Sequence, residues 1–196
     1  MYSSRIAEVQ PTVPDDWYSS DALDASRPPV LIIGLGNPIL GDDGAGWRVA
    51  EKVAQQLNRL PAILSGAAPT PEPASPPQVE VACLSVGGLT LMERMIGYKR
   101  VIIIDALETG QYPPGKVVII SLADLPDRAL GHLCSAHDTT LQNALRVGRS
   151  MGAALPEKIL VVGIEAAQVI DFSEQLTPDV FNAIPIAVEQ VMELIK

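Results

Sequence analysis

Residues 30–35, VLIIGL, form an unbroken apolar run that ends at Gly36. A strand with one wet face alternates polar and apolar residues, so an uninterrupted run marks a strand covered on both faces. RVIIIDAL (100–107) is of the same kind, apolar from Val101 until Asp105, and KILVVGIE (158–165) repeats the pattern. VEVACLSV (79–86) and KVVIISL (116–122) read as two more strands. Strands covered on both faces need helices on both sides. The expected fold is therefore α/β: a three-layer domain with a five-stranded, mixed, mostly parallel twisted sheet.

The segments between the strands fit this fold. After the loop GNPILGDDG (36–44), the residues Trp47, Val49, Ala50, Val53, Ala54 and Leu57 recur at helical spacing and predict a helix to about Asn58, capped by Asp42 or Asp43. GGLTLMERMIG (87–97) predicts a short amphipathic helix. DTTLQNALRVGRSMG (138–152) predicts a helix capped by Asp138. The last helix is expected over 176–196, with Pro178 in its first turn and a kink or restart at Pro185. Only ten residues, 106–115, separate the third and fourth strands. That is too short for a helical crossover, so these two strands are expected to be an antiparallel pair.

Two stretches stand outside this core. Residues 1–29 form an N-terminal extension of low expected order, polar and interrupted by proline, yet holding Tyr2, Trp17 and Tyr18. Its turn PDDWYSS is expected to lie loosely on a single domain spanning 30–196. Residues 61–78 carry six prolines and read as an extended surface insert.

The formal charge of -9 opposes binding to nucleic acid or to an anionic membrane. No apolar run approaches the roughly 18 residues of a membrane-spanning helix. MYSSRIAEVQ lacks the apolar core of a signal peptide, and Cys83 and Cys134 form no redox or metal motif, so a cytoplasmic location is expected. Metal ions, small molecules or another protein are the expected partners, and the chain is expected to be a monomer.

Candidate chemistry gathers at one edge of the sheet. Asp42 and Asp43 follow the first strand, and Asp105 ends the third. Open α/β sheets bind ligands at the carboxyl ends of their strands. The loop 123–137 is long enough to bring His137 there as well. Two carboxylates and one imidazole suit a divalent cation such as zinc, nickel or manganese, with a coordination position left open. Each residue also has a purely architectural reading. Asp42 or Asp43 caps a helix, Asp105 starts a turn, and His137 is a loop histidine. Asn37 holds its loop by bonding to backbone, Glu165 supports this edge or anchors a loop, and His132 lies at the surface. GLGNPI lacks the third glycine of a dinucleotide fingerprint, and neither Ser135 nor Cys134 sits on a nucleophile elbow.

Taken together, LIIGLGNPILGDDGAGWRVAEKV (31–53), VIIIDAL (101–107), Ser135-Ala136-His137-Asp138 and VVGIEAAQV (161–169) resemble the hydrogenase maturation endopeptidases. The resemblance covers about 30–196. It implies an endopeptidase that recognises nickel already inserted in the large-subunit precursor of a nickel–iron hydrogenase and removes a short C-terminal extension. Nickel is then supplied by the precursor, and other divalent metals can substitute. The family's metal-binding and catalytic residues correspond to Asp43, Asp105 and His137. Asp43, on a loop flexible enough to reach water, is the candidate general base. Ser85-Val86-Gly87-Gly88-Leu89-Thr90 matches a region that chooses the substrate, which makes Gly87, Gly88 and Thr90, with Asn37, candidate recognition residues.

Three rival readings follow from the same residues. A nickel-binding assembly chaperone of this fold would bind the precursor without cutting it. Gly34-Leu35-Gly36-Asn37-Pro38 also resembles peptidyl-tRNA hydrolase, but Asp42-Asp43-Gly44 stands where that family needs a histidine. A nucleotide-binding module would be stabilised by nucleotide and not by nickel.

Overall fold

The computed structural model describes Val13, Trp17 and residues 30–57, 79–125, 140–167 and 172–196. The expectations for the insert 61–78, for His132, Cys134, Ser135, His137 and Asp138, and for most of the N-terminal extension lie outside the described residues. In chain order the elements are β1 (Val30–Leu35), α1 (Ala45–Gln56), β2 (Val79–Leu84), α2 (Gly88–Arg94), β3 (Arg100–Leu107), β4 (Val117–Ser121), α3 (Leu141–Ser150), β5 (Lys158–Glu165) and α4 (Pro178–Leu194). Short 3-10 turns occupy Gly41–Gly44 and Leu122–Asp124. None of the described helices is long and apolar enough to cross a membrane.

The five strands form one sheet in the order β2-β1-β3-β5-β4, parallel except for β4. Successive side chains of a strand point to opposite faces, and both faces here are covered. Val30, Ile32, Ile102, Ile104, Leu160 and Val162 pack with α1 and α4. Leu31, Ile33, Val101, Ile103, Ile159 and Val161 pack with α2 and α3. The three-layer α/β architecture follows directly from runs that have no polar face to give to water.

β4 corrects one expectation. It does run opposite to β3, but it pairs with β5, from Val117↔Ile164 to Ser121↔Leu160, and β5 lies between it and β3. Residues 108–116 step across β5 to reach the edge. Nine residues extend to about 30 Å, ample for the roughly 10 Å between strands two places apart. The end of β5 holds this step. Gly110 N–H donates to Glu165 Oε1 at 2.6 Å, Thr109 Oγ1–H to Glu165 Oε2 at 2.7 Å, and Gly115 N–H to the Glu165 carbonyl at 2.8 Å. Glu165 is thus the loop anchor that its position suggested.

The helix termini differ from expectation in detail. Neither Asp42 nor Asp43 makes a capping bond to α1, whose N-cap is Gly44. α3 starts at Leu141, with the Thr140 side chain accepting from Asn143 N–H at 3.2 Å as its cap. α4 runs through Pro185 without a restart. Pro185 removes the bond to the Phe181 carbonyl, and both residues lie on the exposed side of α4.

Trp17 does not lie loosely on the domain. It is fully buried, its Nε1–H donates to the Leu194 carbonyl at 2.9 Å, and the Arg100 guanidinium stands 5.5 Å from its ring centre. At this residue the extension is part of the core, wedged between the end of α4 and the start of β3.

Candidate functional site

The strand order fixes where a crevice must open. From β1 the chain crosses to β2 on one side, then returns to β3 on the other. The crossovers leave in opposite directions, so the carboxyl ends of β1 and β3 flank the switch point where open α/β sheets bind ligands. The β1–β3 register ends at Gly34↔Ile104, immediately before Asp105.

Glycine brings α1 down onto this point. A Cβ on Gly46 would lie 2.3 Å from both the Leu35 and the Ile104 carbonyl oxygens, so only glycine lets the helix start rest on both strand ends. Gly36 has φ of 113°, in the region that favours glycine, and a Cβ there would lie 1.9 Å from the Asp43 carbonyl oxygen. The turn carrying Asp43 is therefore pressed against the end of β1.

Among the described residues the buried acidic side chains are Asp42, Asp43, Asp105 and Glu165, and all four stand at this end of the sheet. Burying a carboxylate is costly unless it is hydrogen-bonded or paired, and two of the four have clear architectural duties. Glu165 holds the step to β4. Asp42 ties the segment after β5 to the turn after β1. Its Oδ1 accepts from Thr177 N–H at 2.7 Å, and its Oδ2 from Ala167 N–H at 3.0 Å and Thr177 Oγ1–H at 2.9 Å. Asp42 shapes these loops by bridging distant segments and not by capping a helix.

Asp43 and Asp105 are placed differently. Asp43 Oδ2 accepts from Asn37 N–H at 2.5 Å, and Asp105 Oδ1 from Ala106 N–H at 2.9 Å. Each of these donors is a backbone group of the adjoining loop or strand end, and it orients the carboxylate. Both carboxylates are wholly buried at the switch point. The expectation that Asp43 rides on a flexible loop is corrected. Its turn is pinned by Gly41 N–H to the Ser173 carbonyl at 2.6 Å and by Ser173 N–H to the Ile39 carbonyl at 3.0 Å. Asn37 holds the same loop as expected, its Oδ1 accepting from Ile39 N–H at 3.2 Å.

The segment 85–90 reaches this edge from β2. Ser85 Oγ–H donates to the Gly36 carbonyl at 2.6 Å, and Trp47 Nε1–H to the Leu84 carbonyl at 3.2 Å. Val86, Leu89 and Thr90 are exposed, Gly87 is half-buried and Gly88 is buried. Gly88, with φ of 51°, has a backbone reason to be glycine. His137 lies outside the described residues, and among the described residues no three His, Cys, Asp or Glu side chains cluster as a metal site. The sequence reading missed Gly46 and Thr177. A glycine inside an otherwise helical pattern signals close packing, so Gly46 was open to detection. Thr177 carries no such signal, because its partner Asp42 is distant in the chain.

Comparison with known proteins adds the family. The HycI hydrogenase maturation protease family matches residues 72–194, a range that includes Asp105 and His137 but begins after Asp43. The hydrogenase 2 maturation protease of Escherichia coli K12 is 27% identical over 167 residues, covering 85% of this chain and 90% of that one. The hydrogenase expression/formation protein HupD of Rhizobium leguminosarum is 26% identical over 171 residues, covering 86% and 75%. Among solved structures, the E. coli hydrogenase maturating endopeptidase HybD superposes with a TM-score of 0.60 at 28% identity, over 84% of this chain and 90% of that one. The hydrogenase maturation protease HybD of Thermococcus kodakarensis gives 0.53 at 26% identity, over 85% and 99%.

Proposed function

This chain belongs to the hydrogenase maturation protease family, and we propose that it is the endopeptidase that removes a C-terminal extension from the nickel-loaded large-subunit precursor of a nickel–iron hydrogenase. The observation that carries the proposal is the pair of buried carboxylates, Asp43 and Asp105, at the switch point between β1 and β3. Peptide hydrolysis needs an activated water and a polarised carbonyl. A crevice with two oriented carboxylates on separate elements suits that need.

Nickel enters this scheme as part of the substrate. Oxygen donors with one imidazole are an acceptable set for a borderline divalent ion. Asp43 and Asp105 supply the oxygens, and His137, by resemblance, the nitrogen. Bound there, the ion would act as a Lewis acid towards the peptide carbonyl or water. The chain's own groups do the rest. Asn37 N–H fixes the direction of the Asp43 carboxylate. Ala106 N–H does the same for Asp105. The turn 37–43, pinned to Ser173, holds Asp43 in place.

The test is to incubate the protein with nickel-loaded and nickel-free precursor and to read the intact mass of each. Loss of the tail from the nickel-loaded form alone is the expected result. Equal cutting of both forms would remove nickel from recognition, and binding without cutting would favour an assembly chaperone.

A further inference from the structure

A concavity opens between α1, the start of α4 and the segment 174–176 that leads into it. It encloses about 420 Å³ and is lined by Arg48, Lys52, Glu174, Leu176, Phe181 and Ile184. Its volume is that of a site for a small ligand or for one or two peptide side chains. We infer that this cleft binds the far end of the precursor's C-terminal extension, an apolar side chain seated on Phe181, Leu176 and Ile184 with a carboxylate against Lys52 and Arg48. The inference rests on the proposed function for the identity of the occupant.

Three observations support it. First, the chain has only two phenylalanines, and neither is in the described core: Phe172 is 87% exposed and Phe181 63%. Large aromatic side chains left in water mark interaction surfaces when they rim a concavity. Second, the cleft presents two cations, Arg48 and Lys52, against one acidic lining residue, Glu174. In a chain of net charge -9, Arg48 and Lys52 lie four residues apart on one helix face at the cleft. Arg48 is partly engaged, with Glu51 at 3.9 Å and the Glu174 carbonyl at 3.4 Å. Lys52 is exposed and makes no ion pair among the described residues. The amino ends of α1 and α4, of 12 and 17 residues, both begin at this end of the domain and add the favourable sign of their dipoles. Third, one wall of the cleft is tied by hydrogen bonds to the loop that carries Asp43. Its wall 174–176 follows Ser173, which is bonded through its backbone to Ile39 and Gly41 on the loop that carries Asp43. Ile39, on the same loop, is 46% exposed.

A fluorescein-labelled synthetic peptide with the sequence of the extension tests this by anisotropy, in free-acid and amidated forms. The expected result is at least 10-fold weaker binding to Phe181→Ser than to the unmodified chain. Amidation should weaken binding to the unmodified chain several-fold and make no difference to Lys52→Gln. Both substitutions are of exposed side chains, and their melting temperatures should match the parent. In precursor cleavage both variants should raise KM and leave kcat unchanged. Unaltered peptide binding and KM in both variants would overturn the cleft while leaving the endopeptidase standing. A chain that cuts no precursor but binds the peptide in this pattern would keep the cleft and overturn the endopeptidase. Self-association abolished by Phe181→Ser would assign the cleft to a second copy of the chain and overturn the inference.

Discussion

Trp17→Ala is expected to remove a large part of the stability of a domain from which Trp17 is well separated in sequence. The side chain is wholly buried, against Val30 at the start of β1 and the end of α4 in the same core cluster. Truncation of a buried tryptophan to alanine costs about 3–5 kcal/mol, the transfer of the ring plus the cavity it leaves. The indole bond to the Leu194 carbonyl and the Arg100 cation near the ring are lost with it. For a chain of this size 1 kcal/mol moves Tm by about 2–4 °C, so a fall of about 6–20 °C is expected. Trp17→Phe separates the contributions. It keeps most of the apolar contact but leaves the Leu194 carbonyl without its donor, and should cost about 1–3 kcal/mol. Urea unfolding followed by circular dichroism measures both, with the midpoint falling and the slope unchanged. Cleavage of the precursor well below Tm should persist, because Trp17 sits at the amino end of the strands, away from Asp43 and Asp105. A loss below about 1 kcal/mol for Trp17→Ala would refute the placement of Trp17 in the core, since no well-packed buried tryptophan is removed so cheaply.

Other substitutions probe the site's scaffold. Gly46→Ala puts a methyl 2.3 Å from two carbonyl oxygens; it should destabilise by about 1–3 kcal/mol in urea unfolding and slow cleavage by displacing the Asp43 turn. Asp42→Asn turns one acceptor oxygen into a donor facing N–H groups; thermal unfolding should register a loss of about 2–4 kcal/mol, while Thr177→Ser, which keeps the hydroxyl, should cost little. Burial, with a smaller contribution from Glu51, pushes the Cys83 thiol up from 9.0 to about 12. Site-resolved mass spectrometry should therefore find Cys83 unalkylated by iodoacetamide in the native chain at pH 8. The same shift ties stability to pH. The thiol is held protonated in the fold, so its contribution is complete below pH 9 and is lost as pH rises towards 12.

Much of the fold is legible in the residues because burial on both faces leaves so plain a mark. β3 and β5 match the segments read as strands, at Arg100–Leu107 and Lys158–Glu165. The place of Asp105 follows, since a carboxylate closing such a run has to sit at the carboxyl edge. What sequence does not carry is the choice among equivalent partners. The length of 108–116 determines that β4 turns back, but not that it passes β5 before pairing, because that depends on β3 and β5 matching along eight residues. Asp138 and Thr140 both have side chains able to cap a helix. Asp42 and Asp43 are adjacent and chemically identical, yet one bridges to Thr177 and the other turns towards Asn37, which no local pattern distinguishes. Trp17 lies alone in a polar stretch with no periodicity, so its burial is a purely tertiary event.

The central claim is that the buried carboxylates at the β1–β3 switch point do the chemistry and do not merely shape the loops. Asp105→Asn tests it most directly, being nearly isosteric and keeping an oxygen for Ala106 N–H. With the nickel-loaded precursor, intact-mass spectrometry should show the unmodified chain releasing the tail. Asp105→Asn, with an unchanged circular dichroism spectrum and melting temperature, should be slower by at least about 100-fold. Release of the tail by the folded variant at the parent rate would contradict the account.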